Sequence, residues 1–271
     1  ITQTVNRVSS TTVMVSNNNP STYSLSVTFS ATVSPSNATG SIEFFDGTTS
    51  LGTVTLSDAS ASLSISTLSV GSHLINAVYS GDGNYLSSLH SNFAQTVNKS
   101  ASATSLYSYN NPSTYGQSTT LRARVNRDIN TKTGVSFSNP TGSVQFFDGT
   151  TSLGTANLSG DSATISVSSL IGGDHSLTAV YAGDGNYNTS TSSTLTQTVN
   201  KANSSITLSS NNNPSTYNQS VTFKARVSGT ITTPTGTVSF YDDEDLLGTV
   251  NLSGDSAMLS ISSLVGGSHP I

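Results

Sequence analysis

The sequence predicts an all-β protein in which two-layer β-sandwiches follow one another along the chain. The pentapeptide Asn-Pro-Ser-Thr-Tyr occurs three times, at Asn19–Tyr23, Asn111–Tyr115 and Asn213–Tyr217, with its prolines spaced by 92 and 102 residues. This period is too long for a solenoid unit and suits a complete small domain. Between the pentapeptides, short alternating apolar and polar segments are separated by turn residues, and no segment shows a 3.6-residue period.

The first two strands follow from aligning the copies on their shared tyrosine. The first strand carries Met14, Leu106 and Leu208 at matching positions. The second alternates strictly in every copy, and only its polar positions vary in charge. A period of two places the apolar set on one face, so we expect a half-buried antiparallel strand. Its apolar positions are Val27, Phe29, Ala31 and Val33 in the first copy, Thr119, Leu121, Ala123 and Val125 in the second, and Val221, Phe223, Ala225 and Val227 in the third.

Five further strands are expected in each full copy. The third ends in an Asp-Gly pair in the first two copies, which is typical of a hairpin turn. Seven short strands within about 95 residues predict two packed antiparallel sheets per copy. In the first copy, the positions that mark the third to seventh strands are Ile42 and Phe44; Leu51, Val54 and Leu56; Ala61, Leu63, Ile65 and Leu68; His73, Ile75, Ala77 and Tyr79; and Phe93, Gln95 and Val97.

Composition excludes several classes of function. Only 8% of the residues are charged and the net charge is −5, which argues against binding to nucleic acid or to an anionic membrane surface. The chain has no cysteine, so it has no disulfide, thiolate metal site or cysteine nucleophile. No apolar run approaches the roughly 18 residues that span a membrane, so we expect no membrane insertion. No nucleophile elbow or carboxylate pair recurs near a histidine, so we expect no enzyme activity.

Several motifs resemble those of a known family. Ala77–Tyr85 reads Ala-Val-Tyr-Ser-Gly-Asp-Gly-Asn-Tyr and returns at Ala179–Tyr187 with Ala182 in place of serine. Together with Gly-Ser-Ile-Glu-Phe-Phe-Asp-Gly and the closing Thr-Val-Asn-Lys, it is similar to bacterial Ig-like repeats of the group 3 type. The resemblance covers essentially the whole chain. It implies tandem immunoglobulin-like domains of prokaryotic extracellular proteins, such as adhesins, surface-layer proteins and accessory regions of secreted enzymes.

The repeats also predict the domain organisation. Residues 1–6 match Leu195–Asn200 and are interpreted as the last strand of a preceding repeat. Repeats are expected at 7–100, at 101–201 and at 202–271, and the third lacks its final two strands. Only six residues connect the last strand of one repeat to the first of the next, which predicts an extended, semi-rigid rod. The incomplete third repeat is explained either by a window cut from a longer array or by chains that exchange strands in a filament.

Candidate metal-binding and histidine sites each have a structural alternative. His73, His175 and His269 recur once per repeat, and we expect them to pack near the end of the sandwich. The Gly-Asp-Gly-Asn loops from Gly81 and Gly183 offer few oxygen ligands for calcium, and a turn is favoured. An acidic run is a weak candidate for calcium binding, and its alternative is a solvated turn. This run consists of Asp242, Asp243, Glu244 and Asp245. No other cofactor is expected.

Candidate recognition residues lie on the sheet surface and in one loop. Phe45, Phe147 and Tyr241 point outward from the third strand, either as a platform for sugars or under a neighbouring hairpin. Tyr79 and Tyr181 are expected to have a structural role. The loop between strands two and three is longest in the second repeat, which indicates either recognition or a tolerated insertion. The candidate recognition residues in this loop are Arg127, Asp128, Lys132 and Phe137.

These observations favour a non-catalytic structural repeat region of an extracellular prokaryotic surface protein, acting as a stalk, spacer or filament body. The alternatives are a filament subunit assembled by strand exchange, and an adhesin module that uses the strand 2–3 loops. A third is an accessory region of a secreted enzyme. The expected partners are neighbouring copies of the chain or adjacent repeats of a longer one, and a host or cell-surface glycan or protein.

Overall fold

Strict alternation of apolar and polar residues produces strands along the described chain. The structure is a computed structural model that describes residues 1–127 and 139–271, and no helix occurs in these ranges. The all-β fold class expected from the sequence is confirmed. The described chain divides into two compact units, and the division passes through the second repeat. The first unit contains residues 1–107, 122–164 and 178–194, and the second contains residues 108–121, 165–177 and 195–271.

The first repeat forms two facing sheets. One has the order β1-β3-β6 and the other has the order β2-β8-β7-β4-β5. Neighbouring strands are antiparallel, except that β2 runs parallel to β8. The strands are β1 (Thr11–Ser16), β2 (Ser21–Thr22), β3 (Val27–Ser34), β4 (Ser41–Asp46), β5 (Thr49–Thr55), β6 (Ser60–Ile65), β7 (Gly71–Tyr79) and β8 (Ser88–Asn98).

The core of this repeat lies between the two sheets. Each inward position of β3 is buried while its polar positions are half-buried or exposed, as the period of two requires. Phe29 from one sheet packs with Phe44 and Tyr79 from the other, and all three are fully buried. The core is therefore closed mainly by aromatic and β-branched side chains.

The second repeat has the same strand order. Its sheets run β14-β11-β9 and β10-β17-β15-β12-β13, with the short strand β16 paired to β15. The strand β10 pairs in parallel with β17, as β2 does with β8. The strands are β9 (Ser102–Ser108), β10 (Ser113–Thr114), β11 (Thr119–Arg127), β12 (Ser143–Asp148), β13 (Thr151–Asn157), β14 (Ser162–Val167), β15 (Gly173–Tyr181), β16 (Ser190–Thr191) and β17 (Leu195–Asn200).

The third repeat contains a three-stranded sheet β18-β19-β22 and a two-stranded sheet β20-β21. Among the described residues no strand follows β22. Phe223 and Val238 in its core are 6% and 8% exposed, whereas Phe29 and Ile42 at the matching positions of the first repeat are fully buried. The strands are β18 (Ser204–Ser210), β19 (Val221–Gly229), β20 (Thr237–Asp242), β21 (Asp245–Asn251) and β22 (Ser256–Ile261).

The short parallel strands β2 and β10 were not expected from the sequence. Each contains two residues of the Asn-Pro-Ser-Thr-Tyr motif, and two residues are too few to show alternation. The first repeat therefore has eight strands where the pattern indicates seven. These added strands join the beginning of the first and of the second repeat to its own end.

Candidate functional site: the latch and the junction between repeats

In the first two repeats, the recurring pentapeptide binds the last strand of its own repeat. The side chain of Asn19 lies against β8, where its Nδ2 donates to the carbonyl oxygen of Ala94 at 2.7 Å and its Oδ1 accepts from the amide of Thr96 at 3.0 Å. A carboxamide that both donates and accepts pairs with strand backbone as another strand would. After Asn19, the backbone itself pairs with β8, since Ser21 lies opposite Val97 in parallel register. The side chain of Asn19 thus lengthens a two-residue strand.

A buried glutamine completes this arrangement. Gln95 on β8 is fully buried, and its Nε2 lies 3.0 Å from the carbonyl oxygen of Asn18 and 3.2 Å from Oγ of Ser21. Its Oε1 accepts a hydrogen bond of 2.8 Å from Oγ of Ser16. A buried amide is costly unless it is paired, and here both its donor and its acceptor groups are satisfied. We call Asn19, Ser21 and Gln95, with the backbone they bind, the latch.

The second repeat contains the same latch. Nδ2 of Asn111 donates to the carbonyl oxygen of Thr196 at 2.7 Å, and Oδ1 of Asn111 accepts from the amide of Thr198 at 3.0 Å. Gln197 is fully buried and donates to the carbonyl oxygen of Asn110 and to Oγ of Ser113. The recurrence in sequence therefore has a matching recurrence in geometry.

A second recurring cluster surrounds the Gly-Asp-Gly-Asn-Tyr loops. Oδ2 of Asp82 accepts from the amide and Oγ1 of Thr39 at 2.8 and 2.9 Å, while Oδ1 accepts from the amides of Asn84 and Tyr85, both at 2.7 Å. The hydroxyl of the buried Tyr79 donates to the carbonyl oxygen of Thr39 at 2.6 Å. Hydrogen bonds from Thr39 first, and then from the loop amides, hold the pKa of Asp82 well below its usual range. The loop is a turn whose carboxylate is occupied by protein donors.

The second repeat repeats this cluster around Asp184. Its carboxylate accepts from the amide and hydroxyl of Thr141 and from the amides of Asn186 and Tyr187. Burial disfavours the charged form of Asp184, but these hydrogen bonds outweigh the burial and lower its pKa. Tyr181 donates to the carbonyl oxygen of Thr141, and burial raises the pKa of its phenol.

The two recurring motifs meet where the first repeat joins the second, within the first compact unit. The ring of Tyr23, the last residue of the pentapeptide, contacts the ring of Tyr187 edge to face, with centroids 6.0 Å apart and planes at 85°. Ser100 in the linker donates from Oγ to the carbonyl oxygen of Tyr23 at 2.7 Å and from its amide to the carbonyl oxygen of Asn186 at 2.9 Å. Nζ of Lys99 lies 2.5 Å from the carbonyl oxygen of Asp184. The linker is therefore bound by both repeats.

Sequence reasoning did not find this junction. The alternation of each strand carries no information on which side chains meet across a linker. The usable signal is that both recurring motifs end in tyrosine, at Tyr23 and at Tyr187. Tyr187 is 2% exposed, although it ends a loop.

Two of the recurring histidines bind aspartates at the ends of strands, and Nε2 of the third, His175, lies 2.8 Å from the carbonyl oxygen of Ile171. Nδ1 of His73 lies 2.7 Å from Oδ2 of Asp46, and its Nε2 lies 2.9 Å from the carbonyl oxygen of Ser69. His269 has the equivalent contacts with Asp242 and with the carbonyl oxygen of Val265, at 2.6 and 2.8 Å. These contacts tie the turn that precedes the histidine to the end of the third predicted strand. The histidines lie apart from one another, one in each repeat.

The acidic run forms a tight hairpin end. Asp242 closes β20 opposite Asp245, which opens β21, and Asp243 in the turn has a left-handed φ of 54°. One oxygen of the Asp242 carboxylate is occupied by His269. In residues 1–127 and 139–271, no three His, Asp or Glu side chains are grouped to hold a metal ion. Weak calcium binding by Asp242, Asp243, Glu244 and Asp245 stays a prediction.

The recognition loop lies largely outside the described residues. Arg127 ends β11, whereas Asp128, Lys132 and Phe137 fall in the range that is not described, so recognition by this loop stays a prediction. The outward aromatics differ in exposure, since Phe45 and Phe147 are half-buried and Tyr241 is 46% exposed. These positions follow a register shift in the hairpins that contain them.

The first six residues form no strand and are exposed, with Val5 at 87%. Strand exchange between chains stays a prediction. Across the described ranges, the structure holds no helix with the length and apolarity that crossing a membrane would require.

Paired sheets of this order, repeated along the chain, define a tandem array of immunoglobulin-like β-sandwich domains. The chain belongs to the bacterial Ig-like domain (group 3) family, whose model matches residues 14–98, 106–200 and 208–271. The resemblance noted in the sequence is thereby confirmed. No curated protein sequence matches the chain.

Several solved structures are similar to the chain at low identity. The fibronectin(III)-like modules of Clostridium thermocellum CbhA share 14% identity, cover 70% of this chain and 95% of that one, and give a TM-score of 0.32. The Escherichia coli adhesin FdeC shares 13% identity over 93% of this chain and 87% of its own, with a TM-score of 0.33. The D1–D4 ectodomain fragment of ICAM-5 shares 11% identity over 95% of this chain and 70% of its own, with a TM-score of 0.38.

Proposed function

We propose that the chain is a non-catalytic structural repeat region of an extracellular prokaryotic surface protein, where it acts as a stalk or spacer. The observation that carries this proposal is the junction between the first two repeats. A spacer must limit the bending between its modules, and the linker here is bound on both sides. This is the property that a stalk needs and that a flexible tether lacks.

The junction limits motion through three kinds of contact. The edge-to-face tyrosine pair contributes about 0.5–1.5 kcal/mol beyond the area it buries. Ser100 bonds to the first repeat through its hydroxyl and to the second through its amide, so it cannot rotate without breaking one of them. Lys99 adds a charged donor to the carbonyl oxygen of Asp184. Together these contacts restrain the short linker.

The chemistry of the described side chains supports a structural role. Both ring nitrogens of His73 and of His269 lie against oxygen acceptors of the same repeat, which leaves neither ring placed as a general base for a substrate. Asp82 likewise has four hydrogen-bond donors from its own repeat.

A distance measurement across the junction tests the proposal. The chain has no cysteine, so spin labels can be placed at Thr53→Cys and Thr155→Cys, which are matching exposed positions in the first unit. Pulsed electron–electron double resonance is expected to give a narrow distribution of distances between the two labels, and this distribution should broaden in Tyr23→Ala. Tyr107→Ala is the control, because this tyrosine is 52% exposed in the same unit and should leave the distribution unchanged. A distribution that is already broad in the parent chain would contradict the proposal.

A further inference from the structure

The third pentapeptide is exposed, although the same sequence forms a buried latch in the other two repeats. Ser21 and Ser113 are 2% and 4% exposed, and each binds a buried glutamine, whereas the equivalent Ser215 is exposed. Tyr217 is 73% exposed, and Leu208, a core position of the strand before it, is 44% exposed. The surface that binds a strand in the first two repeats is therefore open to solvent in the third.

This pentapeptide lines a groove of about 620 Å³ in the third repeat. The groove is also lined by residues within 267–271 and by apolar side chains that include Leu208 and Phe223. In the second repeat, the equivalents of both segments flank one strand, since β17 pairs in parallel with β10 and antiparallel with residues 173–177 of β15. The groove therefore has the two edges and the apolar floor that hold β17 in the second repeat.

The edge formed by residues 267–271 matches the part of β15 that binds β17. The two strands of the second repeat are joined by five residue pairs, and on β15 all five lie within residues 173–177. Gly-Gly-Asp-His-Ser-Leu at 172–177 and Gly-Gly-Ser-His-Pro-Ile at 266–271 align without a gap. Pro270 has no amide hydrogen, but its carbonyl oxygen accepts from Asp243 at 3.0 Å, on the side of the β20–β21 hairpin. Because the amide and carbonyl of an extended residue point to the same side, this proline removes no donor from the groove.

Residues 1–6 have the sequence of the strand that this groove fits. They read Ile-Thr-Gln-Thr-Val-Asn, and Leu195–Asn200, which form β17, read Leu-Thr-Gln-Thr-Val-Asn. Residues 1–6 form no strand and are exposed, whereas Gln197 is fully buried and Val199 is 4% exposed in β17. One chain therefore presents both an exposed copy of this strand and an open copy of the groove that holds it.

We propose that residues 1–6 of one copy of the chain bind in the groove of the third repeat of a second copy, as an added β-strand. Gln3 takes the place of Gln197 and binds Ser215 and the carbonyl oxygen of Asn212, while Val5 covers the open core. The contact joins two different surfaces, so copies associate head to tail. This goes beyond the proposed stalk, because it states how separate copies of the chain join.

The size of the contact determines how it is detected. A single six-residue strand is a small interface, at the low end of the range in which association is specific. We therefore expect a dissociation constant of about 10 μM to 1 mM. Sedimentation velocity of the full chain over this concentration range should show association that increases with concentration. A chain that stays monomeric throughout the range would overturn the proposal.

Two substitutions in residues 1–6 separate the contact from other kinds of association. Gln3→Ala is expected to weaken association by about tenfold or more, because the hydrogen bonds equivalent to those of Gln197 are lost. Thr2→Ala is the matched control, since the equivalent Thr196 is exposed in β17, and it should change association by less than about twofold. Residues 1–6 are exposed, so neither substitution removes packing within the chain that carries it. Equal effects of the two variants would refute the proposed contact.

Asn213→Ala tests the other side of the contact. The equivalent Asn111 binds the backbone of β17 through two hydrogen bonds, so this substitution should also weaken association by about tenfold. Asn213 is itself exposed, and the variant should fold as the parent does by circular dichroism. A folded Asn213→Ala variant that associates as the parent does would contradict the proposal.

Disulfide trapping locates the contact in the folded chains. Thr198 lies opposite Asp174 in the second repeat, and its hydroxyl donates to that carboxylate at 2.7 Å, so side chains at these two positions meet. In the same register, Thr4→Cys of one copy should form a disulfide with Ser268→Cys of another when the two variants are mixed and oxidised. Mixing Thr4→Cys with Ser260→Cys, an exposed position on β22, is the control.

Equal disulfide yields with Ser268→Cys and Ser260→Cys would overturn the proposal. The result is independent of the spin-label experiment, which concerns the junction between the first two repeats. Failure of that experiment would refute the stalk and leave the association of copies, whereas monomeric behaviour of the chain would refute the association and leave the stalk.

Discussion

The buried glutamine of the latch gives the most quantitative prediction. Gln95→Ala removes the hydrogen bonds of this amide with Ser16, Asn18 and Ser21. Ser21 is 2% exposed, so water cannot easily replace the lost partner. Each lost hydrogen bond costs about 0.5–1.5 kcal/mol, and the shortened side chain adds a cavity. We expect the first repeat to lose about 3–5 kcal/mol, a large part of the roughly 5–15 kcal/mol that stabilises a domain.

The chain contains its own control for this substitution. Gln3 lies in the same Gln-Thr-Val-Asn sequence as Gln95 and Gln197, but it is exposed. Gln3→Ala should therefore change stability by less than about 0.5 kcal/mol.

Hydrogen exchange read by mass spectrometry separates the repeats. In Gln95→Ala, peptides from the first repeat should exchange faster by about two to four powers of ten, while those from the second repeat keep their protection. The reasoning is refuted if Gln95→Ala and Gln3→Ala have the same small effect.

Three other predictions concern single groups. Gly81→Ala should destabilise the first repeat by at least about 2 kcal/mol in urea denaturation, because φ is +77° and the added Cβ would lie 2.9 Å from the carbonyl oxygen of Tyr85. Gly83→Ala in the same loop is the control and should be nearly neutral. Equal effects of the two substitutions would contradict this prediction. Because the pKa of Asp184 is lowered in the folded state, this carboxylate stabilises the fold above its ordinary pKa of 3.8, and the stabilisation is lost as the pH falls through the folded pKa. In Asp184→Asn, the midpoint of thermal unfolding measured between pH 6 and 2 should therefore lose part of its dependence on pH. An unchanged pH profile would count against this prediction. The carbonyl oxygen of Val265 and then the carboxylate of Asp242 raise the pKa of His269 above 6.5. The protonated imidazole therefore stabilises the third repeat below pH 6.5, and this stabilisation is lost as the pH rises through the folded pKa. Hydrogen exchange of the β20–β21 hairpin, corrected for intrinsic rates, should speed up in that range, and this pH dependence should disappear in His269→Gln.

Local patterns were sufficient for the strands longer than two residues and for the family. The alternation from Val27 to Val33 places each apolar residue inside because a strand turns successive side chains to opposite faces, and the structure has the same pattern. The Asp-Gly pair at Asp46 and Gly47 marks the turn between β4 and β5 for an equally local reason.

The latch and the junction could not be derived in the same way. The strand β2 is too short to have a period, and its parallel partner is at the far end of the repeat. Gln95 fits the inward positions of its strand, but its partners are carbonyl and hydroxyl groups that only the folded backbone brings together. Tyr23 and Tyr187 belong to different repeats, and no periodicity within one repeat relates them.

The most direct test of the account is the exchange of two backbone amides in each complete repeat. The amides of Tyr23 and Tyr115 donate to Asn98 and Asn200, both at 2.8 Å, and the amides of Thr96 and Thr198 donate to the latch asparagines, both at 3.0 Å. If the latch closes each repeat, nuclear magnetic resonance will show that these four amides exchange as slowly as those of the central strands. Fast exchange at all four positions, with the central strands still protected, would show that the first and last segments are not joined.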